Sequence, residues 1–281
     1  MKWYSWFNPK AYLRKSRQLA EQYCEQRKQK MFLAQYNLAQ HIEETRRVYA
    51  GLGLDFDAAQ ASLKEKLASC PALQEIDPVI SCASEHWTFF AALAQSQRPI
   101  KRILELGTYN GETTHLLAKL FPDAQVTTVD LPATDPIFIA SYGRQDPGFR
   151  QPFLEYRARM LDVSNIELLE INSFLLPSLK LVPFDLIWVD ACHEFPEVGW
   201  DMCNAYHLLQ DDGLLMCDDI YMNTAVPQGQ THATLQAVKA LEQYRLIDLF
   251  FIIKRLDAEW SADPAARKHI AVARKPKPST R

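Results

Sequence analysis

Apolar positions along this chain fall into two rhythms. Short, nearly unbroken apolar runs occupy residues 103–106, 126–129, 166–171, 184–189, 214–217, 246–253 and 270–273. Between them, apolar residues return every three or four positions. Runs of the first kind predict strands, and one as apolar as 184–189 predicts burial on both faces of a parallel sheet. The second rhythm predicts amphipathic helices over 57–68, 84–96, 153–161, 196–209 and 231–244, with another after Gly111 that carries Leu116, Leu117 and Leu120 on one face. In the 84–96 segment Ser84 suits an N-cap and Trp87, Phe90, Ala91 and Leu93 form the apolar stripe, with His86 expected to be packed or at the surface rather than a ligand. Alternation of strand and helix from residue 101 onward predicts an α/β fold.

Residues 101–130, KRILELGTYNGETTHLLAKLFPDAQVTTVD, set the pattern: strand, glycine turn, helix, strand, acid. Such a unit is half of a nucleotide-type βαβ arrangement. Gly107 permits a sharp turn at the strand end, where a Cβ would clash. Gly111 is expected to let a ligand approach the main chain. Thr113 and Thr114 open the helix, where amides and hydroxyls can meet a ligand carboxylate. Asp130 follows Gly111 by about twenty residues and can accept both hydroxyls of a ribose. The glycines are spaced GxxxG rather than GxGxxG, which favours a nucleoside ligand over a pyrophosphate.

These residues resemble the class I S-adenosylmethionine-dependent methyltransferases. ELGTYNG is similar to that family's first motif, and Asp130 matches its ribose-binding acid. The resemblance implies a Rossmann-like, seven-stranded, mostly parallel sheet with an antiparallel last strand, helices on both faces and an N-terminal helical extension. The sixth and seventh strands are then the antiparallel pair, and the 84–96 helix covers the cofactor pocket. It also implies that S-adenosylmethionine is held by Glu105, Gly107, Thr108, Tyr109, Asn110, Gly111, Thr113, Thr114, Asp130, Leu131 and Asp190, with Asn172 and Ser173 near the adenine.

The later strand ends carry acids. Residues 184–189 run into Asp190-Ala191-Cys192-His193, and 214–217 run into Asp218-Asp219. The wording FDLIWVDACHEFPEV…LLQDDGLLMCDDI resembles metal-dependent small-molecule O-methyltransferases, both the catechol type and the sugar-modifying type of macrolide pathways. In those families acids at these strand ends bind the metal, which implies Mg²⁺ on Asp190, Asp218 and Asp219. Unpaired, three such carboxylates would raise one another's pKa, and Mg²⁺ prefers oxygen donors. This chain departs from the catechol pattern by having Asp218-Asp219 in place of Asp-Asn and by offering no identifiable lysine base. His193, three residues past Asp190, is the candidate base, because an imidazole titrates near neutral pH. Cys192 has no activating arrangement around it.

Composition narrows the partners. The 281 residues are 48% hydrophobic with a formal net charge of −3, so a sizeable core is expected and bulk electrostatics do not point to nucleic acid. Six cysteines without a CxxC pair fit reduced thiols in a cytoplasmic protein. The start of the chain is basic and aromatic, with Trp3, Tyr4, Trp6 and Phe7 followed by a long helical pattern towards Tyr49. That segment fits either peripheral contact with an anionic membrane or packing against the domain or a second subunit of a homodimer. Residues 1–95 are expected as a helical extension or cap, 96–275 as the methyltransferase domain and 276–281 as a basic tail. Residues 131–152, rich in proline and glycine, read as a long loop in which Tyr142, Arg144 and Arg150 can touch substrate. The expected acceptor is a hydroxyl of a small molecule or glycan. Alternatives are a metal-independent N-methyl transfer, an NAD(P)-binding oxidoreductase and a catalytically idle module recruited by its N-terminal helix.

Overall fold

The computed structural model describes residues 37–74, 83–223, 230–256 and 267–277. Seven strands form one sheet: β1 (Arg102–Leu106), β2 (Gln125–Asp130), β3 (Ile166–Glu170), β4 (Phe184–Val189), β5 (Leu209–Tyr221), β6 (Asp248–Ile253) and β7 (Lys268–Arg274). Their order is β3-β2-β1-β4-β5-β7-β6. Strands β1 to β5 pair in parallel, and β7 runs antiparallel to both β5 and β6. The last two strands are thus antiparallel to each other as expected, while only β7 opposes the sheet. It is wedged between β5 and β6 rather than lying at the edge.

Alternate residues of each strand feed two cores, as a two-residue period requires. Ile103, Val126, Leu186, Trp188 and Met216 face one core; Leu104, Leu106, Val129, Ile187, Val189 and Leu215 face the other. The first core is roofed by α1 (Leu38–Gly51), α2 (Phe56–Ala68), α3 (Pro71–Gln74), α4 (Glu85–Gln95) and α5 (Glu112–Leu120). Tyr49, Phe56, Trp87, Phe89 and Phe90 pack there in direct continuity with Trp188. The described part of the N-terminal extension therefore completes one face of the sheet rather than capping it from outside. The second core is closed by α8 (Glu197–Leu208) and α9 (Ala233–Gln243).

Residues 131–152 are not one long loop. They fold into α6 (Pro136–Ala140) and the first turns of α7 (Pro147–Leu161). Each of these helices begins with an Asp N-cap, Asp135 or Asp146, whose carboxylate accepts an amide hydrogen bond, followed directly by proline at the first helical position. Strand β5 is longer than 214–217 and carries an irregularity at Asp211-Asp212-Gly213, with Asp212 at φ 65°. The basic, aromatic start through residue 36, and with it the expected membrane contact, lies outside the described residues, as do Cys24, Cys82, residues 224–229 and the last residues of the tail. Among the described residues no helix is long and apolar enough to cross a membrane, and Cys70, Cys192, Cys203 and Cys217 are free thiols.

Candidate active site

A cavity of about 400 Å³ opens at the carboxyl ends of β1, β2 and β4. Its walls include Gly107, Tyr109, Asp130, Leu131, Phe138, Tyr142, Arg144, Asn172, Ser173 and Asp190. This edge of an open α/β sheet is where ligands bind, at the point where strand order reverses. A broader depression of about 680 Å³ lies between Arg98, Asp185 and Asp212 at the opposite edge, where the strands begin. The chemistry-bearing residues converge on the first.

The two glycines serve chain packing. Gly107 has φ 101°, and a Cβ there would stand 2.2 Å from the Asp190 carbonyl oxygen. Glycine is thus required for the β1 turn to lie against the end of β4, and it brings Asp190 to the cavity. Gly111, at φ 83°, packs closely against α7: a Cβ there would stand 3.0 Å from Met160 Cβ and 3.2 Å from Leu161 Cδ2. Between them Tyr109 adopts φ 48° and lays its ring against Tyr142 and Phe153, at centroid distances of 5.2 and 5.4 Å.

Asp130 is held at the cavity floor. Its Oδ1 accepts from the Leu131 amide at 2.8 Å and its Oδ2 from the Tyr109 amide at 3.2 Å, with the Arg157 guanidinium 3.4 Å away. Burial raises its pKa, opposed by these amides and by Arg157 and Arg144. Arg157 also reaches Glu170 at 3.2 Å, tying the ends of β2 and β3 together. Arg144, read from the sequence as a substrate contact, is buried. Its guanidinium lies 3.8 Å from the Phe138 ring centroid and its Nε donates to the Phe138 and Ser141 carbonyls, so it builds the wall. Nothing in the sequence pattern marks Arg157, whose partner Asp130 lies 27 positions earlier, or Phe138, which belongs to a helix within the segment read as loop.

Several residues expected to touch the cofactor are hydrogen-bonded to one another behind the turn. Glu105 Oε2 accepts from the hydroxyls of Thr128, at 2.6 Å, and Thr114. Burial pushes Glu105 up to about 8, so it is protonated at neutral pH. Thr108 Oγ1 shares a hydrogen bond with Thr128 Oγ1 at 2.7 Å. Thr113 Oγ1 accepts from Trp87 Nε1 at 3.0 Å, which anchors α4 to α5. Asn110 Oδ1 accepts from the Glu112 amide at 3.1 Å. Glu105, Thr108, Asn110, Gly111, Thr113 and Thr114 lie outside the cavity lining, whereas Gly107, Tyr109, Asp130, Leu131, Asn172, Ser173 and Asp190 are part of it. His86 is packed, as expected: it stacks on Trp188 at 4.6 Å, and burial holds it neutral with a pKa lowered to about 3.

At the far wall, Asn172 Oδ1 accepts from the Phe174 amide and caps the 3₁₀ turn Ser173–Ser178. Asp201 of α8, also on the wall, is pushed up to about 6 by burial, with Ser173 partly opposing. Burial raises the Cys192 thiol as well, which fits an unactivated cysteine. Asp190 Oδ1 lies 3.3 Å from His193 Nε2, and His193 Nδ1 lies 3.4 Å from Thr234 Oγ1. His193 therefore stands behind Asp190, outside the lining. Burial and the neighbouring Asp218 charge raise Asp190, against the pull of His193 and Lys254. Burial works against a charged His193, yet Asp190, Asp219 and Asp218 outweigh it and raise its pKa.

Asp218 and Asp219 meet cations that the sequence pattern did not reveal. Lys254 Nζ donates to Asp218 Oδ2 and, at 2.7 Å, to Asp219 Oδ1; Lys268 Nζ donates to Asp219 Oδ2 at 2.6 Å. Despite burial, Lys254, His193 and Lys268 hold Asp219 well below the usual carboxylate range. Lys254 follows β6, which runs in the same direction as β5, and Lys268 opens the reversed β7, so both stand at this edge. Among the described residues no three of His, Cys, Asp and Glu converge as metal ligands do. Three of the four carboxylate oxygens of Asp218 and Asp219 accept from ammonium groups and the fourth, Asp218 Oδ1, is buried without a hydrogen-bond partner, so with two ammonium charges seated there the pair does not offer the hydrated, open oxygen set that Mg²⁺ takes.

Comparison with known proteins agrees with this geometry. Residues 104–220 match a family model described as a methyltransferase domain. No curated protein matches the chain by sequence. Among solved structures, cofactor-bound Rv0187 from MTB aligns with a TM-score of 0.51 at 18% identity, over 79% of this chain and 91% of that one. The O-methyltransferase TomG from Streptomyces achromogenes, involved in tomaymycin synthesis and solved in complex with SAM, aligns with a TM-score of 0.50 at 19% identity, over 83% and 96%. Residues 104–220 therefore match a methyltransferase domain, and the chain shares the fold of these solved structures.

Proposed function

We propose that this chain transfers the methyl group of S-adenosylmethionine to a hydroxyl of a small molecule or glycan. One observation carries the choice of acceptor: a carboxylate, Asp190, faces the cavity with an imidazole behind it at 3.3 Å. An alcohol needs a proton acceptor as it attacks, and this pair provides one. The cavity volume falls in the range of about 300–1,000 Å³ typical of small-ligand sites. Asp130 offers its two oxygens to the ribose hydroxyls, while Leu131, Asn172 and Ser173 border the space left for the base.

When bound, S-adenosylmethionine supplies a methyl group on a good leaving group. The chain's part is alignment, which can be worth effective molarities of roughly 10⁵–10⁸ M, and removal of one proton. As the acceptor oxygen bonds to the methyl carbon and the sulfur–methyl bond breaks, the hydroxyl proton passes to Asp190. His193, braced by Thr234, keeps the carboxylate oriented. Of the three acids expected to hold Mg²⁺, Asp218 and Asp219 accept from lysine and Asp190 is paired with His193.

The test is incubation of the full-length protein with methyl-labelled S-adenosylmethionine and a panel of phenols, sugar alcohols and amines, read by mass spectrometry. Label in a methyl ether supports the proposal. Label found on amines alone replaces it with N-methyl transfer. Binding of NAD(H) without binding of S-adenosylhomocysteine in calorimetric titrations overturns both.

A further inference from the structure

We propose that Lys254 is the resident cation of this site, its ammonium taking the place and the charge that a divalent metal would otherwise supply, so that methyl transfer here needs none. The inference rests on the methyl-transfer reading above.

Three acids, Asp190, Asp218 and Asp219, end two neighbouring parallel strands, which leaves negative charge that must be balanced. Lys254 is largely buried and spans both carboxylates of the Asp218-Asp219 pair, while Lys268 satisfies the outer oxygen of Asp219. Its backbone is pinned on both sides: the Lys254 amide donates to the Lys268 carbonyl at 3.0 Å, and its own carbonyl accepts from the Glu85 amide at 2.9 Å. The ammonium is thus delivered to a fixed point rather than resting on the surface.

The acids are shaped to receive it. In a regular strand consecutive side chains point to opposite faces. Here β5 takes three steps from Cys217 to Ile220 while its partner takes two, from Ala271 to His269, and Asp219 adopts φ 55°. This bulge turns both carboxylates towards one nitrogen. Mg²⁺ would need the same oxygens and room for several waters. It would have to expel a buried ammonium that carries the same sign of charge.

The test titrates Mn²⁺ into the full-length protein, wild type and Lys254→Gln, and follows free Mn²⁺ by electron paramagnetic resonance. Titrations with S-adenosylhomocysteine run alongside and report whether fold and donor site are intact. Wild type is expected to show no saturable binding at millimolar Mn²⁺. Lys254→Gln should gain it, with affinity increased about tenfold or more as the acids become available oxygen donors. Lys254→Gln with Asp218→Asn should lose it again. Saturable Mn²⁺ binding by wild type that Asp218→Asn removes overturns the proposal, as does a folded Lys254→Gln that gains none. If Lys254→Gln does not fold, the wild-type titration still decides. The expected Mn²⁺ pattern without any S-adenosylhomocysteine binding would sink the methyl-transfer reading and leave the cation assignment standing.

Discussion

Tyr109 and Asp130 hold one another across the ends of β1 and β2: the Tyr109 amide, on a residue at φ 48°, donates to Asp130 Oδ2 at 3.2 Å. A non-glycine residue in that conformation is uncommon and persists only where its surroundings enforce it. The carboxylate is thereby held in one orientation, which under the proposed function lowers the cost of binding a ribose.

Replacing Asp130 by alanine should weaken S-adenosylmethionine binding by about 1 kcal/mol or more, from lost charge-assisted hydrogen bonds. Calorimetric titration measures it. Unchanged affinity in a folded variant would mean that the ribose lies elsewhere.

Gly107→Ala should be among the most damaging small substitutions in the chain. The added methyl would sit 2.2 Å from the Asp190 carbonyl oxygen, at a φ that L-residues rarely adopt. A loss of about 2 kcal/mol or more is expected from combined overpacking and backbone strain. Thermal unfolding of the two proteins compares them directly, and an equal Tm would contradict the packing described.

The pH profile of methyl transfer should report the pair formed by Asp190 and His193. The acid limb belongs to Asp190, raised above the ordinary 3.8 by burial and Asp218 but held down in part by His193. His193→Gln removes that restraint, so the limb should move to higher pH. For stability the sign runs the other way: because the folded His193 pKa exceeds 6.5, its contribution is complete below 6.5 and is lost as pH rises through the folded value. A limb that stays in place would place the proton acceptor elsewhere.

Glu105→Gln should be nearly silent at low pH and favourable at high pH. The wild-type carboxyl, at about 8 in the fold against 4.5 when unfolded, loses stability as pH rises between those values, because only the unfolded chain releases the proton. Glutamine keeps the acceptor for Thr114 and Thr128 and has no proton to lose. Melting curves across that interval should therefore diverge, and parallel curves would count against a buried neutral acid.

The strand ends were legible because an apolar run that stops at Gly107, Asp130 or Asp190 marks both the edge of the sheet and the edge of the core. The packing of Gly111 was not, since the residues it lies against, Met160 and Leu161, come some fifty positions later in the chain. The helices within 131–152 left a usable signal in Asp135-Pro136 and Asp146-Pro147, a cap followed by a first-turn proline, which the abundance of prolines obscured. Lys254 and Lys268 left none. Lys254 reaches Asp218 and Asp219 from the end of β6 and Lys268 from the start of the reversed β7, and strand order and direction of that kind are set by the whole sheet rather than by any local pattern.

The bulge in β5 makes the spacing of residues, rather than their chemistry alone, part of the site. Only Asp218 and Asp219 lie between Cys217 and Ile220, so inserting one residue there would keep both acids yet undo the bulge geometry that turns them towards one nitrogen. Single-residue insertions and deletions in this short segment should therefore be tolerated less well than most substitutions beside it, which gives the segment a length constraint that a tally of retained acids would overlook.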